Sequence, residues 1–298
     1  MELRTPGGQT KTLSAALATW AVPLLAFALL YREVIAKLVY DWSTDDNYSH
    51  GFLIAPIAAY FAWERRDRLA SLARRPSWLG LVVVAGSIAT LIAGTLGAEL
   101  FLTRISMIGV LAGTLLFVMG WSHVRVLAPT IAFLLLMVPL PAIIFNQVAF
   151  PLQLLASRFG EAALQASSIP VLREGNVIVL ANVTLEVAEA CSGVRSLVSL
   201  LTLGIVYGYF TDSRTWMRVT TALLTVPIAI VTNGARVAGT GIAAHYIGAE
   251  AATGFLHEFS GWLVFVVAFA LLFLCVKALT GVAPNRTRGL DVAVERVA

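Results

Sequence analysis

Cys191 has the sequence surroundings that most favour nucleophilic chemistry. It lies in Glu189-Ala190-Cys191-Ser192-Gly193, immediately before an apolar run whose start is expected to be a helix N-terminus. A helix N-terminus favours a thiolate, and Arg195, one turn further on, adds positive charge on the same side. A thiolate at neutral pH is a nucleophile suited to acyl transfer. Because free cysteines are often small buried residues, position alone leaves a packing role open.

Two further motifs contain groups that can assist such a nucleophile. Arg236, in Thr232-Asn233-Gly234-Ala235-Arg236, has five donors that can hold a carboxylate or an oxyanion. The simpler alternative is an arginine that reaches from a helix end to the headgroups. His257 opens the last apolar run and is suited to act as a base beside a cysteine. A single histidine at such a position is more often an interface residue.

Several polar residues are candidates for supporting roles. Glu189 either orients a base or opposes the thiolate, and Asn233 precedes Arg236 by one turn. His50 ends the polar stretch Asp45-Asp46-Asn47-Tyr48-Ser49-His50, which either binds a polar part of a substrate or only caps the next helix. Cys275 lies deep in the last apolar run and is predicted to pack there without reacting. No cofactor, metal or nucleic-acid partner is expected.

The composition requires a membrane as the solvent. Hydrophobic residues make up 58% of the 298-residue chain, charged residues only 13%, and the mean hydropathy is +0.83. The pattern predicts an all-α bundle of about eight transmembrane helices, each long enough for the hydrocarbon core. They fall roughly at 13–31, 48–63, 78–97, 101–120, 126–145, 192–210, 217–233 and 258–280. One membrane domain over 13–280 is then flanked by cytoplasmic tails, 1–12 and 281–298.

Basic residues orient these spans. Arginines crowd the loop after the second span, so this loop and both termini are predicted to be cytoplasmic. Cys191, Arg236 and His257 then share the outer face. The connection over 146–191 predicts an interfacial helix near 148–168, for which a ninth span is the alternative. A small β-hairpin near 176–187 follows it and leads to Cys191. The polar face of that helix is formed by Gln153, Ser157, Glu161, Gln165 and Ser168.

Four motifs, taken in order, resemble the exosortase/archaeosortase family. They are Asp46-Asn47-Tyr48-Ser49-His50-Gly51-Phe52, Glu189-Ala190-Cys191-Ser192-Gly193-Val194-Arg195, Asn233-Gly234-Ala235-Arg236 and His257-Glu258-Phe259-Ser260-Gly261-Trp262. Each motif is weak alone, but together they cover most of the chain and are specific.

The resemblance implies a multi-pass cysteine peptidase or transpeptidase of the cytoplasmic membrane. Its substrates would be membrane-anchored proteins with a C-terminal sorting signal, made of a short motif such as Pro-Glu-Pro, a transmembrane helix and a basic tail. Cys191 would form an acyl-thioester, with Arg236 as proton donor or oxyanion partner and His257 as base or transition-state stabiliser. Arg195 would have a supporting role. The alternative from another class is a non-enzymatic transporter or exopolysaccharide-export component, with the segment Asn233–Arg236 lining a substrate path. A serine intramembrane protease fits less well.

Overall fold

A computed structural model of the chain describes residues 21–181, 183–187, 193–248 and 254–282. For residues 254–258 and 282, only the helical backbone is described. The structure divides into two compact units, of which the first ends at Pro141 and the second begins at Ala142.

The described residues of the first unit, from Ala21 onward, form seven α-helices, most of them apolar. The short helix α1 (Ala21–Leu30) is followed by α2 (Arg32–Thr44) after a turn at Tyr31. A buried hydrogen bond of 3.1 Å joins the hydroxyl groups of Tyr31 and Ser106 and ties this turn to α6. The remaining helices of the unit are α3 (Gly51–Glu64), α4 (Arg66–Ala70), α5 (Leu79–Leu96), α6 (Leu100–Val118) and α7 (Trp121–Leu134).

The hairpin of α5 and α6 is closely packed because glycines line the contact. A β-carbon built on Gly80 would lie 2.2 Å from the backbone nitrogen of Phe117, and one on Gly113 would lie 2.9 Å from Val84. Small residues at such positions let the backbones of membrane helices approach each other. Both helices match the predicted spans 78–97 and 101–120 within two residues.

The predicted span 126–145 is wrong as a continuous helix. Helix α7 and a short 3₁₀ helix, Leu135–Met137, end before Pro139, and a new helix begins only after Pro141. Proline lacks the backbone donor and disfavours helical geometry in the residue before it, so two closely spaced prolines stop the helix.

The described residues of the second unit form four long helices and a small sheet, which packs against two of these helices. The helices are α8 (Ala142–Ala166), α9 (Val194–Thr211), α10 (Thr215–Ile247) and α11 (Gly254–Val282). Between α8 and α9 lie β1 (Val171–Glu174), β2 (Val177–Leu180) and β3 (Thr184–Glu186), which form an antiparallel sheet in this order. The predicted hairpin is therefore present as β2 and β3, and the structure adds β1, which pairs with β2 through Leu172 and Val179.

Helix α8 runs alongside α10 in the same direction. Gly160 faces Val237, Gly234 faces the ring of Phe159, and Gly241 faces Leu164. The helix predicted near 148–168 thus exists, but its polar face does not point only outward: Gln153 and Ser157 are buried, and the Ser157 hydroxyl donates to the Gly175 carbonyl at 3.0 Å. Its orientation in a bilayer stays a prediction.

Five helices among the described residues are long and apolar enough to cross a membrane, and six if α7 with its 3₁₀ extension and α8 count as one broken span. The five are α5, α6, α9, α10 and α11. Helices α1 and α3 are also apolar but are shorter. The chain is thus a mostly helical, multi-pass membrane protein. The predicted total of about eight spans and the inside positions of both termini stay predictions.

Candidate active site

Helix α9 begins directly after the motif that contains Cys191. Gly193 is its N-cap, with a φ of 81° in the left-handed region, and the Leu197 N–H donates to the Gly193 carbonyl at 2.8 Å. The helix start therefore lies where the sequence predicts it, two residues after Cys191. Cys191 and Glu189 themselves lie outside the described residues.

The sheet fixes the chain just before that motif. The Val187 N–H donates to the Asn176 carbonyl at 2.9 Å, and the Asn176 side chain donates to the Val187 carbonyl at 3.3 Å. Arg173 ties the sheet to α8 through an ion pair with Glu161 at 2.7 Å. The sheet and helices α8 and α10 share one apolar cluster, formed by Ala156, Leu164, Ile169, Ile178, Leu180, Val187 and Val237. The chain is thereby held on both sides of residues 188–192.

Asn233 on α10 packs against the start of α9. A β-carbon built on Gly193 would lie 2.9 Å from both Cγ and Nδ2 of Asn233, whose side chain is buried. Only a glycine permits this approach, because any side chain at position 193 would overlap the amide of Asn233. Next to this contact, α8, α9 and α10 enclose a void of only about 10 Å³, with Leu152 and Leu197 among its lining residues. This volume has scarcely room for one water molecule.

Arg236 lies one turn after Asn233 on α10 and reaches α11. Its Nε donates to the Ser260 hydroxyl at 3.3 Å, and its Nη2 would lie 3.1 Å from a β-carbon built on Gly261. Residues three apart share a helix face, so Asn233 and Arg236 point to the same side of α10. His257 lies on α11 one turn before Ser260; the structure describes its backbone but not its side chain.

Three of the predicted motifs thus meet in the second unit. The start of α9 contacts Asn233, and Arg236 contacts the α11 turn that follows His257. Arg195 occupies the first turn of α9 and is half-buried. His50 belongs to the first unit, where it precedes α3 and its Nε2 lies 3.1 Å from the Leu136 carbonyl oxygen.

Ser260 is a polar contact of Arg236 that the sequence prediction did not include. The available signal was the helical spacing of His257, Ser260 and Gly261, which places all three on one side of α11. At Gly261 the guanidinium of Arg236 comes so close to α11 that a side chain there would have to displace it.

The contact between Gly193 and Asn233 can be tested through stability. We expect Gly193→Ala to destabilise the protein by about 2–4 kcal/mol, since both the left-handed backbone and the added methyl group are unfavourable. Gly175→Ala is the matched control, because Gly175 also has a positive φ, 66°, but a β-carbon there has nothing within 4 Å. Thermal unfolding of the full chain in detergent measures both.

The double variant Gly193→Ala/Asn233→Ala separates overlap from backbone strain. If the amide of Asn233 causes the overlap, the double variant is more stable than the sum of the two single changes predicts. Equal losses for Gly193→Ala and Gly175→Ala would contradict the close approach.

The protein has several apolar helices that can cross a bilayer, and polar side chains come together where α9, α10 and α11 meet. These features define a multi-pass membrane protein with a candidate active site. The model of the transmembrane exosortase family matches residues 42–274. This match covers most of the chain, and the protein belongs to the transmembrane exosortase family. Members of this family are in general membrane peptidases or transpeptidases. No curated protein and no solved structure matches the chain.

Proposed function

We propose that the protein is a cysteine peptidase or transpeptidase that cleaves a C-terminal sorting signal from exported proteins. The signal consists of a short motif, a transmembrane helix and a basic tail, and cleavage occurs at the outer face of the cytoplasmic membrane. The observation that supports this most is the convergence in the second unit: Gly193 contacts Asn233, and Arg236 contacts Ser260. These contacts lie within the family match and flank Cys191 and His257 in the sequence.

In this proposal Cys191 supplies the nucleophile. The thiolate Sγ attacks the carbonyl carbon of the scissile peptide bond and forms a tetrahedral oxyanion. Collapse of this intermediate breaks the C–N bond, leaves an acyl-thioester on Cys191 and releases the C-terminal fragment as an amine, which takes up a proton. Water or an acceptor amine then attacks the thioester, and the thiolate leaves. Arg195 and the start of α9 favour the thiolate at both stages.

Arg236 is proposed to stabilise the oxyanion rather than to transfer a proton. A guanidinium stays protonated at any physiological pH, so a fixed positive charge is the contribution it makes most readily. The hydrogen bond from its Nε to Ser260 orients the plane of the guanidinium, and Gly261 leaves room for Nη2 beside α11. A charge held in place before the reaction stabilises a developing oxyanion without reorganisation. His257 then carries the proton to the departing amine.

The remaining candidates are assigned supporting roles. Glu189 lies two residues before Cys191 and would orient His257, while Asn233 would hold the start of α9 through Gly193. His50 would contact the substrate motif. The arginine cluster between α3 and α5 supports a cytoplasmic position for that loop, and hence an outer position for the site.

Capture of the covalent intermediate tests the reaction type. The full chain in detergent is mixed with a protein that ends in such a signal, quenched in acid and analysed by intact-mass spectrometry. We expect a species equal to the chain plus the N-terminal substrate fragment minus water, which neutral hydroxylamine releases as a hydroxamate because thioesters react with it readily.

The same experiment can contradict the proposal in two ways. An adduct that resists hydroxylamine would indicate an oxygen ester, and therefore a serine nucleophile. Processing that continues after both cysteines are alkylated, as verified by intact mass, would exclude a cysteine nucleophile.

A further inference from the structure

The first unit contains a cavity of about 350 Å³ that is separate from the residues discussed above. It lies where α5 ends and α6 begins, with α2 beside it. Its lining combines the cations Lys37 and Arg104 with Glu33, two threonines and apolar side chains, among them Val34 and Leu100. Because the cavity is at the end of two helices that can each cross a membrane, it is expected at headgroup depth.

Arg104 is the unusual member of this lining. Its residue exposure is only 2%, and its Nη2 pairs with Asp41 on α2. Its Nε is buried and has no hydrogen-bond partner among the described residues. A buried donor of a charged group without a partner is costly, so the guanidinium of Arg104, which also lines the cavity, favours an anion close to it.

The charge balance of the cavity is positive by one. Lys37 contacts Asp41 at 2.8 Å, so that a single carboxylate faces two cations. Burial acts to raise the pKa of Asp41, but hydrogen bonds from Lys37 and Arg104 outweigh it and lower the pKa, so Asp41 is charged at neutral pH. Glu33 is exposed at the mouth and is neutralised by Arg32 at 2.7 Å. One monoanion would balance the cavity.

We propose that this cavity binds the phosphate of a phospholipid headgroup, with the Arg104 guanidinium and the Lys37 ammonium as the cations that hold it. A phosphodiester carries one negative charge and several acceptor oxygens, which match the net charge and the unpaired donor. The apolar part of the lining, with Val34 and Leu100, would contact the adjoining glycerol and acyl chains. The site would tie α2 to the α5–α6 hairpin, and its existence does not depend on the proposed peptidase activity.

Thermal unfolding of the full chain in a neutral detergent tests this site. We expect added phosphatidylglycerol to raise Tm, and diacylglycerol with the same acyl chains not to do so, because only the former has the phosphate. Inorganic phosphate is the third probe. If inorganic phosphate alone gives the full rise in Tm, the cavity binds a phosphate from solution. If only the lipid raises Tm, the ligand is the phospholipid headgroup.

Variants must spare the Arg104–Asp41 pair, because Arg104→Gln would leave the Asp41 carboxylate facing an uncharged side chain inside the unit. Lys37→Gln makes the cavity neutral, and Val34→Phe fills it without altering a charge. We expect Lys37→Gln to raise the half-saturating phosphatidylglycerol concentration about tenfold, the effect of losing one charge-assisted hydrogen bond. Val34→Phe should abolish the shift.

Arg66→Gln is the matched control, since Arg66 is an exposed cation of the same unit that does not line the cavity. It should leave the lipid dependence within about twofold of the wild type, as expected for a solvent-exposed charge. Equal shifts with phosphatidylglycerol and diacylglycerol would overturn the proposal. So would a wild-type lipid dependence in folded Lys37→Gln and Val34→Phe.

Discussion

Cys191→Ala is expected to abolish processing of a substrate that carries the tripartite signal, with a loss of at least about 10³-fold in turnover. Alanine removes the only atom that can form the acyl-thioester and changes little in volume. Cys191→Ser should retain almost no activity, because a hydroxyl group beside the same helix start is ionised far less readily than a thiol. The measurement is the mass shift of the substrate in membranes that contain equal amounts of each variant.

Cys275→Ala is the control that the chain itself provides. Cys275 is a free, half-buried cysteine on α11, well beyond the turn at Ser260 and Gly261. Its substitution should leave processing unchanged and also excludes a general effect of cysteine removal. If Cys191→Ala inserts normally and still processes the substrate, the cysteine mechanism is wrong.

The fold could be predicted best where the hydrophobicity of a long segment alone determines the structure. Spans α5, α6, α9 and α11 follow from long uninterrupted apolar runs, and the structure has helices there. Prediction failed where local breakers compete with packing. Asn233-Gly234 was expected to end a span, but α10 continues past it to Ile247. The whole helix has 33 residues and is about 50 Å long at the usual rise per residue. Gly234 does not break the helix because its missing side chain makes room for the Phe159 ring.

Strand β1 was not predicted, although the turn that joins it to β2 is visible in the sequence. Gly175-Asn176 between two short runs is a common two-residue hairpin sequence, and Glu174 pairs with Val177 across it. The polar residues predicted on α8 do share one face, but not all of them face outward. Ser157, for example, donates its hydroxyl to the Gly175 carbonyl in the turn between β1 and β2. Sequence periodicity shows which residues share a face, but not which partner covers that face.

For the site, the sequence predicted the motifs but not the contacts between them. The approach of Asn233 to Gly193, and of Arg236 to Ser260, depends on how α9, α10 and α11 are rotated about their own axes. That rotation is determined by packing at glycines and threonines, for example Gly204 against Thr225 and Gly208 against Thr221. The continuous α10 also removes the broken helix on which the transport alternative relied, since discontinuous helices are what expose backbone groups to a substrate path.

Arg236→Ala is expected to lower kcat by about 10²–10³-fold with little change in KM, as for loss of an oxyanion donor that acts mainly in the transition state. Arg236→Lys should be only partly active, because lysine keeps the charge but loses the planar donor set that includes the bond from Nε to Ser260. Ser260→Ala should lower kcat only about fivefold, as expected for one neutral hydrogen bond that orients the guanidinium.

Arg218→Ala is the matched control on the same helix. Arg218 donates from Nε to the Asp212 carbonyl at 2.6 Å and from Nη2 to the Tyr209 carbonyl at 3.1 Å, near the opposite end of α10. Its loss should lower thermal stability but leave kcat of the folded fraction unchanged, which separates a defect of the helix from a defect of the reaction. A rise in KM at constant kcat in Arg236→Ala would instead assign Arg236 to ground-state binding of a substrate carboxylate, and the oxyanion role would be wrong. Because the guanidinium contacts the α11 turn that follows His257, either result locates the substrate at this junction of α10 and α11.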